Sequence, residues 1–170
     1  MSLSMYQASV PPMLQSLAAT VAVLAKGAAH AEARKIDPSA LLLARLFPDQ
    51  FTLTKQVQIM SDLAKLGGSK LSGTEAPKMP DTETGFAELQ ARLEATADYL
   101  RSITPAQIDG TEAKVIAMKL GGTEVSFTGQ SFLLHFIMPN VYFHATTAYA
   151  LLRHNGVELG KRDFIGAMPA

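Results

Sequence analysis

The chain has 170 residues, 15 Lys+Arg against 15 Asp+Glu, 48% hydrophobic and 18% charged residues, and no cysteine. That length suits one domain spanning 1–170, the composition is too apolar for a disordered chain, and the even charge speaks against a basic phosphate-binding surface. Without cysteine there is no disulfide framework, no thiolate nucleophile and no cysteine-based zinc site.

Val10, Leu14, Leu17, Val21, Leu24, Ala28 and Ala31 recur at spacings of four and three, which predicts a first amphipathic helix that Ser4 can cap. Pro11 and Pro12 are tolerable only near its start or at a kink, and Asp37-Pro38 follows its end. Pro11, Pro12, Gln15, Ser16 and Thr20 interrupt its apolar run, and the first basic residue is Lys26. Neither a spanning helix nor a targeting segment is therefore expected, and the reading is a cytoplasmic protein with no membrane partner. Pro38 to Leu53 reads as a compact connection with a short helical turn around Leu41 to Leu46.

A second helix is expected from Thr52 or Thr54, with Leu53, Val57, Met60 and Ala64 on one face, ending at Gly67-Gly68. Ser69 to Asp81 carries Gly73, Pro77 and Pro80 and reads as a long loop. Phe86, Leu89, Leu93, Ala97 and Leu100 then mark a third helix starting after Asp81 or Thr82, with Glu83, Glu88 and Arg92 assigned to its wet side.

The period changes at Lys114 to Leu120 and Thr123 to Thr128, two alternating strands around Gly121-Gly122. A last helix is expected from about Gln130 to Arg153, stopped by Asn155-Gly156. The fold class is mainly α: a four-helix bundle with a small β-hairpin before the last long helix. After Gly156, Val157, Leu159, Phe164 and Ile165 alternate with Lys161, Arg162 and Asp163. So apolar a tail should dock with Phe164 as anchor, as a strap over the bundle end in preference to a lid on the His144 pocket, Arg162 and Asp163 pairing with the bundle or with each other.

Chemistry is expected on the last helix. Its apolar stripe is Leu133, Ile137, Val141, Ala148 and Leu152, and Asn140 and His144 fall on or beside it. Both need partners, because a buried unpaired polar group costs roughly 1–3 kcal/mol. Each other, backbone freed by Pro139, water or a metal are the candidates. His135 lies on the opposite side from His144, His154 suits the helix C-terminus, and His30 sits late in the first helix. No His-x-x-x-His pair and no phosphate-cradling glycine loop is present.

Pro139 through Val157, followed by Leu159-Gly160-Lys161-Arg162-Asp163-Phe164, forms a long C-terminal signature. With Ser4 to Pro11, Ala44-Arg45-Leu46, Pro48-Asp49 and Thr54 to Gln58, it resembles an uncharacterised domain-of-unknown-function family within the DinB/YfiT-like superfamily, over essentially the whole chain. The resemblance implies a four-helix bundle, often a homodimer. Metal-bearing members carry one His on the second helix and a His-x-x-x-His pair on the fourth, and several act as metal-dependent thiol transferases or hydrolases. His144 matches the second member of that pair, but Asn140 stands at the first. The second helix has no His, so Gln56 or Asp62 would have to replace the missing ligand.

Two functions follow. One is a small-molecule-binding or stress-associated bundle with no tight metal and no other cofactor, its pocket near Asn140, Tyr142, His144 and Tyr149. The alternative is a divergent metal-dependent transferase or hydrolase for thiol-type or small electrophilic substrates. There His144 is the general base or a ligand of a divalent metal, alongside Asn140, Gln56 and Asp62. The expected partners are a second copy of the chain and a small molecule, with no nucleic acid.

Overall fold

The structure is a computed structural model and describes residues 3–168. Helix α1 (Met5–Arg34) begins at the expected cap: the Ser4 hydroxyl accepts the Gln7 N–H, and the Gln7 side chain accepts the Ser4 N–H. Pro11 and Pro12 lie in its second turn, and the helix continues through them to Lys35, which closes it in the left-handed region. Its buried line runs through Val10, Met13, Leu17, Leu24, Gly27 and Ala31, while Leu14, Val21 and Ala28 sit at the margin. One correction concerns this helix. An 18-residue window of α1 has mean hydropathy 1.4, long and apolar enough to cross a membrane, because the polar residues within it are few. Half of that window is buried against the rest of the bundle.

Asp37 caps the short α2 (Pro38–Leu42), and Thr52 caps α3 (Leu53–Ser72). Contrary to expectation, Gly67-Gly68 does not end α3, which runs on to Gly73 at φ 80°. The pair is buried where neighbours press closest. A Cβ at Gly67 would stand 2.8 Å from Ile137, and one at Gly68 would stand 2.8 Å from Leu100. Glycine here supplies close approach, a tertiary role that local sequence mimics as a stop signal.

Helix α4 (Phe86–Arg101) starts later than expected, since the Glu88 carboxylate accepts the N–H groups of Thr84 and Gly85 and sets the start there. Arg92 does not lie on the wet side of α4 as expected. Its side chain is 1% exposed, because the 73–85 loop folds over it and supplies Asp81 and Glu83 as partners. A short α5 (Pro105–Ile108) leads to the hairpin of β1 (Val115–Leu120) and β2 (Thr123–Thr128), with Gly121 and Gly122 both at positive φ. The strands pair antiparallel with Ile116 opposite Phe127. Phe127 packs on Phe132 and Phe136 at centroid distances of 5.9 and 5.7 Å, which seats the inner face of the hairpin on the helices.

The last helical segment is not uniform. A short α6 (Gly129–Phe132) passes into a π-helical turn (Leu133–Ile137) and then α7 (Met138–His154). The wide turn precedes Pro139, which has no N–H to give to the preceding turn. Leu133, Ile137, Val141, Ala148 and Leu152 are all buried, as their spacing predicts.

The four long helices enclose one hydrophobic core, α1 packing on α4 and α7, and α3 on α7 and α4. The tail docks on α1 through α8 (Lys161–Ile165): Asp163 pairs with Lys26 at 2.7 Å, the Gln15 amide donates to the Ile165 carbonyl, and Phe164 contacts Tyr149.

Candidate functional site

Helices α3 and α7 run antiparallel, with Gln56 facing His144 near one end of their contact and Gly67 facing Ile137 near the other. Gln56 lies one turn after the Thr52 cap and His144 two turns into α7, so both are held by regular helix. Gln56 is 2% and His144 7% exposed. The His144 Nδ1 and the Gln56 Oε1 are 2.6 Å apart.

This contact determines a tautomer. The Gln56 amide nitrogen donates to the Phe51 carbonyl at 3.3 Å, which turns its Oε1 toward the imidazole. An amide oxygen only accepts, so Nδ1 carries the proton and Nε2 carries the lone pair. Among the described residues the ring bonds only through Nδ1, and Nε2 is not sealed from solvent. Burial pushes the His144 pKa below its ordinary value, which keeps the ring neutral at pH 7. The result is a positioned, uncharged acceptor of the kind that serves as a hydrogen-bond acceptor or general base. Phe143 lies edge-on to the ring at 5.2 Å and is 57% exposed, giving the site an apolar border.

The other predicted residues separate. Asn140 is half-buried on the same side of α7, but its amide donates to the Phe136 carbonyl at 2.6 Å, a group of the π-helical turn. Tyr142 and Tyr149 face α1 and α8 instead, Tyr142 beside Pro12 and Phe164, and Tyr149 against Phe164. Asp62 belongs to the α3–α4 side, bonded to Arg92 and Lys65. Of the sequence candidates, the structure therefore joins Gln56 to His144 and disperses the rest. Gln56 was named from sequence as a replacement metal ligand and not as the hydrogen-bond partner of His144, and a separation of 88 positions left no local signal for that bond.

The three residues at the position implied for a metal do not fit a Zn²⁺ or Ni²⁺ first shell. They offer one imidazole and two neutral amides, and the Gln56 oxygen is already engaged by the His144 Nδ1–H. Among the described residues no group of three or more His, Cys, Asp or Glu side chains converges.

The family model described as Domain of unknown function (DUF1993) matches residues 5–165. No curated protein matches the chain significantly. The chain is similar to the crystal structure of a DinB family member protein from Shewanella denitrificans. They are 41% identical, the match covers 97% of this chain and 93% of that one, and the TM-score is 0.87. On the extent of both matches, the chain belongs to the DUF1993 family of DinB-like helical-bundle proteins.

Proposed function

We propose that this protein binds a small molecule at the α3–α7 contact without a tightly held transition metal, and that His144 presents Nε2 to that ligand as a neutral acceptor. The observation that carries this reading is the Gln56–His144 bond, which leaves one imidazole nitrogen unprotonated and open. For Gln56 to ligate a metal, its oxygen would have to leave the His144 Nδ1–H.

Two measurements test it. Elemental analysis of protein purified without chelator or nickel resin is expected to give far less than one transition metal per chain. About one per chain, lost in His144→Ala, would overturn the metal-free reading and favour the divergent metal enzyme. Nitrogen NMR of the histidine ring, followed during a fragment screen, is expected to show the Nδ1–H tautomer and a fragment that shifts Nε2. A screen in which no fragment shifts it sinks the binding reading.

A homodimer in the cytoplasm belongs to the same proposal. The connection from α2 to α3 exposes Leu43 (64%), Phe47 (64%) and Phe51 (53%), an apolar grouping that a second copy would cover. The apolar side of α1 is occupied by the bundle core. Light scattering that returns the monomer mass at micromolar concentration would reject the dimer.

A further inference from the structure

We propose that the cavity between α1, α7 and α8 is a second ligand site, for a small uncharged molecule carrying a hydroxyl or amide group on an apolar body. The cavity has a volume of about 170 Å³ and is lined by Pro12, Gln15, Ser16, Tyr142, Phe164 and Ile165. Since a cavity of about 150 Å³ accommodates one benzene ring, this volume suits a single ring with a small substituent.

The polar groups on its wall have bonding capacity to spare. Ser16 is 7% exposed, and its hydroxyl, which makes no hydrogen bond to any described residue, is the part that solvent still reaches. That is exceptional within α1. The Ser9 hydroxyl donates back to the Met5 carbonyl and the Thr20 hydroxyl to the Ser16 carbonyl, the usual habit of a hydroxyl inside a helix. Ser16 does not bond to the corresponding Pro12 carbonyl, and it is one of the residues that line the cavity. The Tyr142 hydroxyl is likewise without a partner among the described residues, and desolvation raises its pKa, so it stays a neutral phenol. Gln15 commits its amide nitrogen to the Ile165 carbonyl, which leaves its oxygen as an acceptor.

No charged side chain lines the cavity, and Pro12, Phe164 and Ile165 supply apolar surface. An ionic ligand would find no countercharge there, whereas a neutral ring bearing one polar group meets both hydroxyl and amide groups and hydrocarbon. This site is separate from His144. Tyr142 is two residues before His144, which places them about 200° apart around α7.

The test is an NMR titration of the full chain with phenol, using toluene as the same shape without the hydroxyl. Phenol is expected to give saturable shifts at Gln15, Ser16, Tyr142 and Phe164, and to bind roughly fivefold more tightly than toluene, the scale of one net hydrogen bond. Ser16→Ala should weaken phenol by a similar factor. Tyr142→Phe at a partly exposed position is the second variant should the first fail to fold. The shifts at Gln15, Ser16 and Phe164 are followed separately from any shift of the His144 Nε2, so failure of this site and failure of the His144 site are distinguishable. Absence of saturation up to about 20 mM, equal affinity for toluene, or wild-type affinity in both cavity variants would overturn the proposal.

Discussion

On its two flanks α3 meets opposite kinds of polar contact. Toward α4 lies a charged cluster. Arg92 binds Asp62 at 2.8 Å, Asp81 at 3.0 Å and Glu83 at 2.8 Å, Lys65 and Lys55 pair with the first two, and Gln58 donates to Glu83. Toward α7 lies the neutral pair of Gln56 and His144. The charged cluster consumes its own bonding capacity: of its buried side-chain polar atoms, only the Arg92 Nε lacks a partner among the described residues. The neutral pair leaves a lone pair open to solvent. The difference teaches that the number of charges is a poor guide to function. The dense cluster fastens the 73–85 loop across two helices, and the sparse pair keeps a valence free for another molecule.

The largest effect is expected from Arg92→Leu, which leaves the Glu83 carboxylate, only 10% exposed, without its cation. Removing one member of a buried ion network costs about 3 kcal/mol, and the loss should appear in urea unfolding with the tautomer of His144 untouched. A loss below about 0.5 kcal/mol would erase the distinction between the flanks.

Gln56→Leu comes next, at about 2 kcal/mol, the cost of leaving a buried N–H unpaired. Unlike Arg92→Leu, it should also release the ring from the Nδ1–H tautomer, seen by nitrogen NMR. A third variant, Gln56→Glu, sharpens the same point. The new carboxylate favours the imidazolium and should raise the His144 pKa, read directly by NMR titration.

The smallest effect lies in the pH profile, where the flanks separate by range. His144 has a folded pKa below that of the unfolded chain. The unfolded state therefore binds its proton first, and this stability is lost as pH falls below about 6.5. Asp81 is held low by the Lys55 hydrogen bond. For Glu83, burial alone would raise the pKa, but hydrogen bonds from Arg92 and Gln58 outweigh it. Their contribution is complete above about pH 4.5 and disappears as pH falls through their depressed folded values. Melting temperatures measured from pH 7 to pH 3 should fall in two stages, the upper one absent in His144→Asn. A single stage, unchanged in that variant, would contradict the neutral buried imidazole.

Much of the fold is legible in short segments. The Ser4 cap, the buried stripe of α7, the Gly121-Gly122 turn and the docking of Phe164 each follow from residues a few positions apart. The misreadings share a cause. Gly67-Gly68 looks like a helix stop until Ile137 and Leu100 are seen against it. Arg92 looks solvated until the loop closes over it. The candidate site was half legible: His144 stands out as a polar residue in an apolar stripe, while the dispersal of Asn140, Tyr142, Tyr149 and Asp62 depends on which helix each one faces.

By itself the sequence determined the class of fold, the location of the hairpin and the presence of an imidazole in the bundle, because periodicity, caps and turn glycines act within one or two turns of chain. Only the tertiary structure decided that Gln56 is the partner of His144, that Nε2 is the open nitrogen, and that Ser16 and Tyr142 share a cavity with Phe164. Burial and hydrogen bonding are properties of residues brought together from distant positions, 88 apart for Gln56 and His144, and no local pattern records which of them will meet.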